Sequence, residues 1–161
     1  MTRLTNWARR SLLLACVLTA AAGALTGCVS GKQLTATDIE AHGTRTYDKP
    51  IDVVMKAAGQ ALAGEGYEIA IVSPEKGLLK TGRKTLGSQA TGNATSAMVT
   101  TYSRVFTLRF TDVGGKTKLV ATPSVFANDN DLSAGAVWVV EGPQGETAHW
   151  MRLFKGIDEL L

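Results

Sequence analysis

Two hydrophobic periods divide most of this chain. Between residues 50 and 66 the apolar positions Val54, Ala57, Ala58, Ala61 and Leu62 recur at intervals of three and four, which is one face of an α-helix. Pro50 stands in its first turn, Asp48 is a candidate N-cap, and Gly64 and Gly66 supply the stop. The period then falls to two. Tyr67, Ile69 and Ile71 alternate with Glu68 and Ala70, "SPEKG" turns the chain and "LLKTGR" returns it, a hairpin pattern. A longer hairpin follows: Tyr102, Phe106, Leu108 and Phe110 share a face, Gly114 and Gly115 form the turn, and Leu119 and Ala121 come back opposite Phe110 and Leu108. That register requires Val113 to pair with Lys116. At the end of the chain the helical period resumes, with Trp150, Leu153, Phe154, Ile157 and Leu161 on one face and Arg152, Lys155 and Glu159 on the other.

With "TRTY" (residues 44–47) as a short strand and "AVWVV" (residues 136–140) as an optional one, the order is β-α-β-β-β-β-(β)-α. Hairpins dominate, so the predicted fold is α+β, an antiparallel sheet of about four to six strands with two helices packed on one face. Small residues on the first helix let it lie close to the sheet, and the second helix brings the bulk.

The first ten residues carry Arg3, Arg9 and Arg10 and no acid, and the apolar stretch "SLLLACVLTAAAGAL" follows. This is the order of a secretory signal. Leu25, Thr26, Gly27 and Cys28 resemble the lipobox of bacterial lipoproteins. The resemblance implies cleavage before Cys28, acylation of its thiol and new amine, and anchorage in a membrane. Each buried methylene contributes about 0.8 kcal/mol, so several acyl chains hold permanently. Val29 follows Cys28 where inner-membrane retention in enteric bacteria uses aspartate, so the expected address is the periplasmic face of the outer membrane. Residues 1–27 then form the signal, residues 28–43, polar and without sustained period, a flexible tether, and residues 44–161 one domain.

Charge and cysteine content narrow the function classes. Three of the 17 basic residues leave with the signal, and the mature chain balances 14 basic against 14 acidic residues. No basic stripe with interleaved aromatics remains, which argues against nucleic acid as a partner. With Cys28 lipidated, the mature chain has no second cysteine for a disulfide, and the core alone holds the fold.

"YDKPIDVVMKAAGQALAGEGYEIAIVSPEKGLLKTGRK" and the terminal "HWMRLFKGIDELL" look like the small Gram-negative lipoprotein domains related to BamC and like uncharacterised lipoprotein families of the same helix-on-sheet plan. The shared motifs are structural: a proline-started helix, an A-L-x-x-x-G-Y exit, a hairpin and a closing helix. The resemblance implies an accessory or interaction role in outer-membrane assembly, and no reaction.

Candidate chemistry is sparse. His42 and His149 stand alone, without a second ligand type at metal spacing, and no Gly-x-Ser-x-Gly elbow is present. "NDNDLSAG" resembles a calcium loop at Asp129, Asp131 and Ser133, but Ala134 takes the glycine position and Val140 the bidentate glutamate position. Asn93 begins an Asn-Ala-Thr sequon of a kind that a typical bacterial periplasm does not use. No catalytic, metal or cofactor site is predicted, and the chain reads as a non-enzyme.

The most distinctive segment is residues 85–103, nineteen residues without a charge and rich in Gly, Ala, Ser and Thr. The plain expectation is a mobile loop; the functional one is a lid or partner-binding loop. Lys80, Arg83 and Lys84 before it and Arg104 after it form a candidate positive interaction surface at its base. Two functions fit. The first is a lipid-anchored accessory or interaction module for envelope assembly or maintenance, with an envelope protein as partner. The alternative is a small-ligand or lipid binder with residues 85–103 as its lid. A helix–sheet gap filled by Phe106, Phe110, Trp150 and Phe154 favours the first.

Overall fold

The alternation of residues 102–121 becomes the central hairpin of an antiparallel sheet. The computed structural model of the chain describes residues 34–93, 96–132 and 145–161. In chain order these form α1 (Ala36–His42), β1 (Thr44–Tyr47), α2 (Ile51–Gly64), β2 (Ile69–Ser73), a 3-10 turn (Pro74–Lys76), β3 (Leu78–Thr81), β4 (Lys84–Asn93), β5 (Ser96–Val113), β6 (Lys116–Ala127), β7 (Asn130–Asp131) and α3 (Glu146–Asp158). The sheet runs β1-β6-β5-β3-β2, with β4 on the first half of β5 and β7 on the end of β6. Val113 pairs Lys116, Phe110 pairs Leu119 and Leu108 pairs Ala121. Gly114 and Gly115 turn the hairpin at φ +66° and +84°, the left-handed pair that matches strand twist.

One core joins the layers. Leu79, Phe106, Leu108, Phe110, Leu119 and Ala121 from the sheet meet Val54, Ala58, Ala61 and Leu62 of α2 and Trp150, Leu153, Phe154 and Ile157 of α3. The two helices cross closely, since a Cβ on Gly156 of α3 would stand 3.1 Å from Ala61 Cβ of α2. Helix α2 ends in a Schellman motif. The Tyr67 N–H donates to the Leu62 carbonyl and the Gly66 N–H to that of Ala63, with Gly66 at φ +79°.

The structure corrects four local expectations. Asp48 does not cap α2. Pro50 is the N-cap residue, without a side-chain bond, and Asp48 pairs with Lys116 at 2.6 Å. Ile71 leaves the core face because β2 shifts register between Ile69 and Ile71, leaving it 46 % exposed. Part of the segment expected as tether, residues 28–43, is folded instead, because Ala36–His42 is helical. A capping box closes its start, the Asp38 N–H donating to Thr35 Oγ1 and the Thr35 N–H to Asp38 Oδ2. Leu34 and Ile39 pack on the core, and Gly43 lies so close to Trp150 that a Cβ would stand 2.8 Å from its ring. Finally, the sheet has seven strands among the described residues, because residues 85–103 are not a loop but β4 and an extension of β5, and because β7 pairs with the end of β6. The signal, Cys28 and the optional strand 136–140 lie outside the described residues.

Candidate interaction site

Residues 84–93 and 96–104 pair as the two strands of an arm. Lys84 pairs Arg104 at its root and Asn93 pairs Ser96 at its tip, with one register shift between Thr85 and Gly87. The pairing of β5 with β6 stops at Tyr102 and Ala127, so the outer part of the arm is a two-stranded ribbon. Residues 87–92 and 96–99 are exposed, and Met98 and Val99 are the large apolar side chains among them, 67 % and 57 % exposed. Successive side chains of a strand take opposite faces, so these two do not share one.

The root of the arm is strongly tied. Asn128, at φ +53°, extends the β5–β6 pairing by one step. Its N–H donates to the Thr101 carbonyl at 2.7 Å, and the Thr101 N–H donates to its Oδ1 at 2.9 Å. Left-handed backbone costs asparagine little, and its amide oxygen replaces a strand carbonyl. Where β3 ends, the hydroxyl oxygen of the buried Thr81 accepts the Phe106 N–H at 2.9 Å.

Four cations were expected to make one positive surface here, and the structure gives each a different setting. Lys80 is exposed on β3, opposite Thr107 of β5. Arg83 lies over the Phe126 ring at 4.0 Å and pairs Asp129 at 3.1 Å. The Lys84 ammonium donates to the Glu65 carbonyl and lies 4.8 Å from the centre of the Tyr67 ring. Arg104 is not on the surface at all. Its side chain is 2 % exposed and bonds the equally buried Glu146 of α3. Among the described residues, Arg104 Nε and Nη1, Glu146 Oε2 and the Tyr67 hydroxyl are buried without a hydrogen-bond partner. Burial pushes Glu146 up to about 7, with Arg104 pulling the other way, and burial also raises Tyr67.

Sequence reasoning missed this pair. A signal for half of it was present, because Arg104 has the parity of Phe106, Leu108 and Phe110 and therefore points toward the helices. The histidines stay apart: His42 is exposed on α1, and His149 is buried on α3 with Nδ1 2.6 Å from Arg152 Nη2. Among the described residues no group of three His, Cys, Asp or Glu side chains is placed to hold a metal. The Asp129 side chain is exposed and paired with Arg83, and Ser133, Ala134 and Val140 of the calcium-like segment lie outside the described residues. Among the described residues no helix is long and apolar enough to cross a membrane.

No protein-family model matches the chain, and no curated protein matches it. Among solved structures, the crystal structure of a DUF4468 family protein from Bacteroides ovatus is similar at TM-score 0.33 and 11 % identity, over 73 % of this chain and 77 % of that one.

Proposed function

We propose that the chain is a lipoprotein anchored through Cys28 to the periplasmic face of the outer membrane, and that its α+β domain is an accessory, protein-interaction module in envelope assembly or maintenance. It takes no cofactor and runs no reaction. The observation that carries the interaction reading is the filled space between helices and sheet. Phe106 is 1 % exposed, Trp150 0 %, Phe110 4 % and Phe154 6 %. The alternative of a ligand binder with residues 85–103 as lid needs room under that lid. Those residues instead pair as two strands whose outer part, residues 87–92 and 96–99, is exposed, which suits a contact surface.

Two experiments test the proposal. Metabolic labelling with a fatty acid should mark the wild type and not Cys28→Ser; equal label in both removes the anchor. Affinity capture of the lipidated chain from envelopes should recover a protein in fixed ratio. Recovery of a lipid alone overturns the interaction reading in favour of the ligand binder.

A further inference from the structure

Strand edges are liabilities that proteins usually guard with shortness, bulges or charge. Edge strand β1 has four residues and carries Arg45, which pairs Asp158 at 2.8 Å. Edge strand β2 has five and is bulged. The outer edge of β4 differs from both. It belongs to a strand of ten residues, no strand lies on it among the described residues, and from Thr85 to its end it has neither charge nor proline. Gly87 has open space where a Cβ would stand. The edge also follows the line of β2. The Gly82 N–H donates to the Glu68 carbonyl just before β2 begins, so a strand added to β4 would fill the place that β2 fills beside β3.

We propose that this edge pairs antiparallel with the same edge of a second copy of the chain, joining two arms across a twofold axis. Strand addition draws affinity from the backbone and selects a foreign sequence through side-chain pockets or charge. Beyond its root, residues 85–103 of the arm offer no charge to steer a partner of either sign. The groove lined by Pro50, Ile51, Asp112 and Gly115 lies at the opposite end of β5. An identical strand needs no such selection. Twofold pairing sets Ser, Gln, Ala and Thr against the same set, with no like charges opposed. The buried Arg104–Glu146 bond and the Asn128–Thr101 pair fix the root from which the arm projects.

This rests on the reading of the domain as an interaction module. The test places a photoreactive benzoylphenylalanine at Gln89 of the full chain, co-expressed in two epitope-tagged forms, with the same group at the exposed Lys56 of α2 as control. Irradiation is expected to give an adduct carrying both tags from position 89 and not from position 56. In a Ser88→Lys/Thr91→Lys background, both sites exposed, the adduct is expected to vanish while the circular dichroism spectrum is unchanged. Equal two-tag adducts from both positions, or survival of the adduct in the lysine background, overturn the proposal. An adduct between position 89 and a different protein overturns the second copy and leaves the interaction module standing. With no adduct at all, the arm is withdrawn from both.

Discussion

At the first turn of α3, Glu146 gives up its water to meet a guanidinium that has also lost its own. Burying two charges costs several kcal/mol per ion, and their attraction seldom exceeds that cost. Among the described residues three polar atoms of this pair have no partner, so the pair is not a large source of net stability. Removing one member is a different matter. Arg104→Met leaves the carboxylate buried alone and is expected to cost about 3–5 kcal/mol near pH 8, whereas Arg104→Met/Glu146→Leu removes both charges and recovers most of that loss. The pH dependence has a definite sign. The Glu146 carboxyl is raised from 4.5 to about 7, so between those values the folded chain holds a proton that the unfolded chain has released. Its contribution to stability is full below the unfolded value and lost as the pH rises through the folded one. Wild-type stability should therefore fall through this window by more than in Glu146→Gln, and Arg104→Met should cost less near pH 5 than near pH 8. Urea melts at the two pH values measure both; equal losses for Arg104→Met would mean that the carboxylate is not what Arg104 serves.

Among the elements, α3 decides whether the sheet face stays covered. Trp150 is wholly buried and its indole N–H donates to the Ala121 carbonyl at 2.9 Å, a strand group next to Gly43 at the end of α1. Trp150→Ala removes volume and strands that carbonyl, and should cost about 3–5 kcal/mol. Arg152 on the outer face pairs Glu65 at 3.3 Å across partly exposed side chains, and Arg152→Ala should cost at most about 1 kcal/mol. Equal, small losses in denaturant melts would make α3 a loosely held tail. The same physics explains what was legible. Helices α2 and α3 and the β5–β6 hairpin each bury one face, so their periods were written in the residues, and Gly114 with Gly115 set the register. The outer arm buries neither face, so no alternation was required and residues 85–103 looked like a loop. Helix α1 is one short helix with Ile39 as its inward apolar residue, too little to show a period; Thr35-x-x-Asp38 was its sequence signal. The Arg104–Glu146 bond joins positions 42 residues apart, and no local pattern records such a partner.

For the whole molecule, the folding of α1 limits how far the domain could stand from the proposed anchor. A tether of residues 28–43, fully extended at about 3.5 Å per residue, would let the domain stand some 55 Å from an anchor at Cys28. With Leu34 packed on the core, the six residues from Cys28 to position 33 can span no more than about 20 Å. On the proposed lipid anchor at Cys28, α1 would lie within about 20 Å of the bilayer surface. Lipidated chain in vesicles doped with a nitroxide-headgroup lipid should show strong paramagnetic broadening of the α1 amides. Twenty Gly/Ser residues inserted between positions 33 and 34 form a flexible coil of about 25 Å mean span, and because the broadening falls steeply with distance, it should largely disappear. Unchanged α1 signals in the insertion variant would mean that the domain touches the membrane by its own surface, whatever Cys28 carries.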